Sequence, residues 1–234
     1  MSILFVTGAG TEVGKTVVTA AIASLAGGRT AVLKAAQTGV ADGEAGDAAV
    51  VARLSGATAV ELARYPEPLA PATAARRAGA PPVRPRAVAA AAERLAWEHD
   101  LVLVEGAGGL LVRFDDAGGT LADAAAALSA PVLVVVQAGL GTLNAAALTA
   151  EALRTRGLRC AGAVIGSWPA EPDLAARCNV TDLPDVMDAP LLGAIPGGAG
   201  ALPPGEFRAV AATSLAPELG GTFNAAEFGQ RLLA

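Results

Sequence analysis

One histidine, two cysteines and a single tyrosine are all that this 234-residue chain holds of three residue types that carry much of enzyme chemistry. With His99 alone, a site of several histidine metal ligands is excluded, and mechanisms that need a histidine base are nearly so. Cys160 and Cys178 are too few for a disulfide framework or a metal cluster, and they suit a reduced, cytoplasmic setting. Aromatic residues make up 3% of the chain, so its core has to be built from Ala, Val, Leu and Ile. Basic residues are outnumbered too, 17 Lys and Arg against 22 Asp and Glu. The formal net charge is −5, which argues against nonspecific binding of nucleic acid, where Lys and Arg meet phosphates. No apolar run reaches the roughly 18 residues that a membrane span needs, so no membrane partner is expected. No basic segment stands before "SILFVTG", and the start of the chain does not read as a signal peptide.

What is present is apolar and periodic. Hydrophobic residues are 53% of the chain and charged residues 17%, enough for a large core. Short strand-like runs occupy 3–7, 30–34, 101–105, 131–136, 160–166 and 191–196, and Ala-rich helical segments occupy 15–26, 47–55, 84–98, 120–128, 142–156 and about 206–213. Alternation of this kind predicts βαβ units, hence an α/β fold with a mostly parallel central sheet and helices on both faces. No repeat or long linker interrupts it, so 1–234 is expected to form one domain. Gly27 and Gly28 are expected to end the first helix. The Pro/Ala/Arg stretch 66–86 reads as an ordered excursion or lid, and the Gly/Pro-rich 195–205 as a loop.

Open parallel sheets bind ligands beyond the carboxyl ends of their strands, and the chemically suggestive residues follow the predicted strands. After the first comes "GAGTEVGKT", residues 8–16. Strand, glycine-rich loop, Gly-Lys-Thr and helix make a P-loop. Its backbone N–H groups and helix N-terminus face phosphate, Lys15 neutralises the β/γ-phosphates and the Thr16 hydroxyl ligates Mg²⁺. Counted back from Gly14, the usual first glycine falls on Ala9, and Gly8 stands one step early. After the second strand, Lys34 precedes Thr38 and Gly39, a cation beside a hydroxyl at the same sheet edge. Asp47 opens the next helix, and its residue type leaves two readings open, a helix N-cap or a Mg²⁺ ligand. Glu105 closes the strand "LVLVE", an acid at the position that holds Mg²⁺ directly or through water. Gly106, Gly108 and Gly109 then permit close approach of backbone to ligand.

Near the fourth strand, Thr142 and Asn144 start a helix whose free N–H groups could hold a carboxylate, or which is an ordinary capped helix. "IGSWP" and "IPGG" lie where a nucleotide base could rest, with Trp168 either stacked on it or packed. His99 precedes the third strand, at the opposite end of the sheet, and reads as a surface residue.

Taken in order, these motifs resemble those of dethiobiotin synthetases over nearly the whole chain: T-G-x-x-T-E-V-G-K-T at 7–16, K-x-x-x-[ST]-G at 34–39, Asp47, V-E-G-A-G-G at 104–109, L-G-x-x-N at 140–144 and A-P-L-L-G-x-I-P at 189–196. The longer loop is that family's form of the P-loop. The resemblance implies a ligase of biotin biosynthesis that condenses 7,8-diaminopelargonic acid with CO₂, using ATP or another nucleoside triphosphate with Mg²⁺. It implies Thr16, Asp47 and Glu105 as the Mg²⁺ group, and Lys15 and Lys34 as catalytic cations. It implies Thr11, Thr38, Leu140, Gly141, Thr142 and Asn144 on the substrate side. The nucleotide would meet Glu12, Val13, Gly14, Lys15, Thr16 and Val17, then Asp47, Glu105, Gly106, Ala107 and Gly108, and at the base end Gly166, Ser167, Pro196, Gly197 and Gly198. A homodimer with the diamine at the subunit interface is also implied.

Three departures stand out. Ala35 and Ala9 stand where relatives often have proline and threonine. Gly166 and Ser167 stand where some relatives set an Asn-Asp pair against adenine, which implies a broader or different nucleotide choice. The rival reading is an ATPase switch of the ParA/MinD type, which carries an extra lysine early in the loop; here that position is Gly10.

Overall fold

The computed structural model describes residues 2–41 and 43–233. Its strands are β1 (Ser2–Gly8), β2 (Thr30–Lys34), β3 (Gln37–Thr38), β4 (Thr58–Glu61), β5 (Arg64–Tyr65), β6 (Leu101–Gly109), β7 (Val132–Val136), β8 (Cys160–Trp168) and β9 (Leu191–Pro196). Seven of them form a sheet in the order β4-β2-β6-β1-β7-β8-β9, every neighbouring pair parallel. β3 and β5 form a separate parallel pair. All the predicted strands are present. β4 escaped the sequence reading because it is a short edge strand, exposed over its first half, and carries little apolar signal.

The helices are α1 (Lys15–Leu25), α2 (Asp47–Ser55), α3 (Pro71–Ala78), α4 (Pro85–Glu98), α5 (Leu121–Ala127), α6 (Thr142–Thr155), α7 (Leu174–Met187), α8 (Pro204–Ser214) and α9 (Ala225–Leu233). β2 and β7 are buried along their whole length, which requires cover on both faces of the sheet. α1, α2 and α8 pack on one another, α4 packs on α5, and α7 packs on α6 and α9. The core is aliphatic, as the composition demands: Leu33, Leu103, Leu133, Ile165 and Leu183 are fully enclosed with Phe5, Phe114 and Phe207. Burying one such side chain stabilises the fold by about 1.5–3 kcal/mol.

One local expectation changes, and two stretches gain detail. The first helix ends at Leu25 with Ala26 as its cap in an extended conformation, not on a left-handed glycine. Gly28 instead lies close against Asp100, whose carboxylate oxygen would be 2.6 Å from a Cβ at this position and would have to shift. The stretch 66–86 contains α3, started by Pro71 at its first turn, where a missing N–H costs nothing. α7 was not predicted. Its apolar positions are diluted by Asn179, Thr181 and Pro184, though Asp173 accepts a hydrogen bond from the Ala176 N–H at 2.7 Å and was a legible cap.

Candidate active site

β1 lies at the centre of the sheet, and the P-loop leaves its carboxyl end. A Cβ on Gly8 would fall 2.4 Å from the Gly10 carbonyl, so Gly8 is the glycine that lets this longer loop fold back. Gly14 has φ 91° in the left-handed region, and Glu12 has φ 55°. The loop rests on β8: a Cβ on Gly166 would lie 2.0 Å from the Val13 carbonyl oxygen. Lys15 Nζ donates to the Gly10 carbonyl at 3.1 Å. The seat of the loop is thus backbone against backbone, with glycine on both sides.

Lys34 and Glu105 occupy partnered positions on β2 and β6. Lys34 Nζ donates to Glu105 Oε1 at 2.8 Å and to the Gly106 carbonyl at 3.0 Å, and stands 2.5 Å from Asp47 Oδ2. Thr16 Oγ1 donates to the same Glu105 Oε1 at 3.0 Å. Four residues widely separated in the chain therefore share one cluster. Lys34 and Glu105 are 3% and 1% exposed, so each needs the other; an unpaired buried charge would cost several kcal/mol, about 3–5 by mutational experience.

Burial by itself would depress the Lys34 ammonium, but the carboxylates of Glu105 and Asp47 outweigh it and hold its pKa above the ordinary lysine value. Lys15 goes the other way. Burial, and then the like charge of Lys34, lower its pKa against the pull of Glu105 and Asp47.

The two readings of Asp47 now separate. The cap of α2 is Gly46, and Asp47 is the first helical residue with its carboxylate turned to Lys34. Its N–H is taken by Gln37 Oε1 at 2.8 Å. Asp47 is not an N-cap. Gln37, which the sequence reading passed over inside K-x-x-x-T-G, is the buried residue that fastens this helix start.

Among the described residues, two buried side-chain polar atoms have no partner: Glu105 Oε2 and Thr142 Oγ1. Both belong to residues singled out from sequence. An orphan carboxylate oxygen beside a second carboxylate and a hydroxyl is a donor set suited to a hard cation that takes oxygen ligands, with phosphate and water completing its shell. Among the described residues no group of three or more His, Cys, Asp or Glu side chains is placed to hold a metal ion.

A cleft of about 840 Å³ opens above the cluster, lined by Thr11, Glu12, Gly14, Lys15, Thr16, Val17, Lys34, Thr38, Asp47, Ala107 and Gly108. Pro68, Leu69, Ala70 and Pro71 form a wall, so the 66–86 excursion borders the site. A Cβ on Gly106 would lie 2.7 Å from Leu121 of α5, and the Gly106 carbonyl serves Lys34. A second groove of about 740 Å³, between Arg84, Pro85, Asp115 and Asp123, contains none of the motif residues.

At the carboxyl ends of β8 and β9, Gly197 N–H donates to the Trp168 carbonyl at 2.8 Å, and a Cβ on Gly197 would come within 3.3 Å of Ser167 Oγ. Gly198 has φ 81°, Gly200 lies against Val17, and Arg53 Nη2 fastens the Gly200 carbonyl at 2.8 Å. Pro196, Gly197, Gly198, Ser167 and Val17 are thereby grouped. Trp168 packs edge-on against Phe228, ring centres 5.0 Å apart. His99 caps α4 just before β6, within hydrogen-bond reach of the Leu95 carbonyl and Thr58 Oγ1, away from the site.

The loop before α6 is separate from the cleft lining. Gly141, φ 92°, precedes the helix and no side chain caps it, so the ordinary capped-helix reading does not hold. Leu140 is 90% exposed and Asn144 is exposed, whereas Thr142 is buried.

A family model described as "AAA domain" matches residues 2–200. A protein of Saccharopolyspora erythraea named ATP-dependent dethiobiotin synthetase BioD is 74% identical over 225 residues, which is 96% of this chain and 100% of that protein. The chain belongs to the dethiobiotin synthetase family. A Streptomyces coelicolor dethiobiotin synthetase is 68% identical, with 99% of each chain covered. A ParA family ATPase from Chlorobium tepidum shares the fold, with TM-score 0.56, 14% identity and 98% of each chain covered. At that identity the likeness concerns the P-loop α/β architecture alone.

Proposed function

We propose that this dethiobiotin synthetase closes the ureido ring of dethiobiotin from 7,8-diaminopelargonic acid and CO₂ at the expense of a nucleoside triphosphate. The observation that carries the reading is the Lys34–Glu105–Asp47–Thr16 cluster beneath an open cleft with Lys15 at its side. One substrate amine adds to CO₂ and loses a proton, giving a carbamate. A carbamate oxygen takes the γ-phosphoryl group, and the nucleoside diphosphate leaves. The second amine attacks the carbonyl carbon of this mixed anhydride, expels phosphate and completes the ring.

Both nucleophiles belong to the substrate. The chain's part is to position them and to offset charge that grows on carbamate and phosphate, which fits a site of lysines without a histidine or cysteine. Lys15 faces the phosphates, and Lys34 faces the transferred group. Thr11 and Thr38 line the substrate side of the cleft. Thr16, Asp47 and Glu105 would hold Mg²⁺, which neutralises phosphate charge when bound. In an ATPase switch of the ParA/MinD type a lysine would be expected at position 10; here the Gly10 carbonyl receives Lys15 instead.

The base end supports a nucleotide choice broader than ATP. Position 166 has no room for any side chain, because the P-loop backbone occupies it, and Ser167 is exposed. Comparing KM for ATP, CTP and GTP tests this; a strong ATP-only preference would remove it.

We also assign the Leu140–Asn144 segment to the diamine carboxylate of a second subunit's site. Exposed Leu140, Leu148 and Leu174 on α6, α7 and the loop before α6 support an apolar contact between copies. Sedimentation with and without diamine, and mass-spectrometric detection of dethiobiotin from diaminopelargonic acid, bicarbonate and nucleotide, test the two parts. A monomer that makes product at full rate would contradict the shared site.

A further inference from the structure

We infer that Asn179 on α7 is a positioning residue for the Leu140–Asn144 loop, acting through two backbone carbonyls. This rests on the reading that the loop receives the substrate carboxylate.

Asn179 is 5% exposed, and its Nδ2 donates to the Ala138 carbonyl at 2.7 Å and to the Gly139 carbonyl at 3.0 Å. Two carbonyl acceptors fix the amide's orientation, since only the NH₂ end can meet both. Among the described residues, no other side chain bonds residues 137–141. The consequence lies in the peptide planes. In a trans peptide the N–H points opposite to the C=O it is bonded to. Drawing the carbonyls of 138 and 139 inward to Asn179 therefore directs the N–H groups of Gly139 and Leu140 outward. Neither N–H donates a hydrogen bond among the described residues. They stand next to Leu140, the most exposed large apolar residue described, and next to the helix start that no side chain caps. Outward N–H groups beside a free helix N-terminus form a receptor for a carboxylate. Asn179 sets the direction of the Gly139 N–H from below, and shares that of the Leu140 N–H with the Thr142 N–H, which also donates to the Gly139 carbonyl at 3.3 Å; it does so without touching the ligand.

Asn179→Asp keeps the size but replaces the donating NH₂ with an oxygen that faces two carbonyls, and Asn179→Ala removes the group. Steady-state rates are measured with diaminopelargonic acid and ATP varied in turn, and hydrogen exchange is followed over residues 138–142. We expect KM for the diamine to rise roughly tenfold or more, KM for ATP to stay within about twofold, and exchange in the loop to quicken. Unchanged diamine KM in both variants overturns the inference. Asn144→Ala separates the two levels. If it raises the diamine KM while the Asn179 variants do not, only the role of Asn179 fails. If it too leaves that KM unchanged, the substrate reading of the loop fails and the inference goes with it.

Discussion

Lys34 and Glu105 stand opposite each other on neighbouring parallel strands, and their side chains meet at 2.8 Å where the strands end. The register of β2 on β6 makes this pairing, so the core that aligns the strands also aligns the charges. Asp47 joins from the start of α2, and Lys34 lies between two carboxylates that would otherwise repel each other. A lysine so held is charged and immobile before any substrate arrives, which is the condition for stabilising charge that develops during reaction.

Lys34→Ala should leave nucleotide binding largely intact and lower kcat by roughly 10²-fold or more. It should also lower the melting temperature, since a buried carboxylate loses its partner, a loss of about 3–5 kcal/mol. Mg²⁺ with nucleotide should recover part of that stability. Turnover and thermal shift measure both effects, and unchanged turnover would remove Lys34 from the mechanism.

Asp47→Asn should keep α2, because Gly46 is the cap and Gln37 holds the first N–H. The lost charge should raise the Mg²⁺ concentration for half-maximal activity roughly tenfold, by the strong preference of this ion for carboxylate ligands. Circular dichroism checks the helix and a Mg²⁺ titration checks the site. Wild-type behaviour at ordinary Mg²⁺ would leave Asp47 as no more than Lys34's second partner.

Much of this was legible in sequence because it obeys local rules. Gly-Lys-Thr after an apolar strand, and an acid closing "LVLVE", announce themselves by position, and the open parallel sheet puts both at one edge. What escaped depends on three-dimensional neighbours. Gln37 and Asn179 are amides whose value comes from backbone groups ten and about forty residues away. At Gly106 the packing of Leu121 adds a second reason for glycine that only the fold reveals. Asp47 could not be told from a cap because both roles favour Asp at a helix start.

Gly166→Ala should disable the nucleotide site more than the fold. The new Cβ would meet the Val13 carbonyl at 2.0 Å, so the P-loop has to move. We expect a nucleotide KM raised at least roughly tenfold, as a displaced positioning element gives. Equal loss of diamine and nucleotide affinity would indicate general damage instead.

The two lysines should divide the alkaline pH range. Lys15, its pKa lowered by burial and by Lys34, loses its proton below the ordinary value of 10.5, and nucleotide affinity should fall with it. Stability should move oppositely in that window, because the unfolded chain then binds more protons than the folded one and unfolding becomes harder as pH rises. Lys34, raised by Glu105 and Asp47, contributes stability that is lost only above 10.5. Nucleotide affinity followed by calorimetry against pH, beside thermal melts, checks both signs. Affinity flat up to 10.5 would contradict the account of Lys15.

The central claim is that phosphoryl transfer waits for a carbamate. The most direct measurement is phosphate release from ATP and Mg²⁺, with diaminopelargonic acid and bicarbonate each supplied or withheld. The account predicts release only when both are present, one phosphate for each ring closed. Steady release without either would contradict it, and would point to an ATPase that spends nucleotide on a conformational cycle.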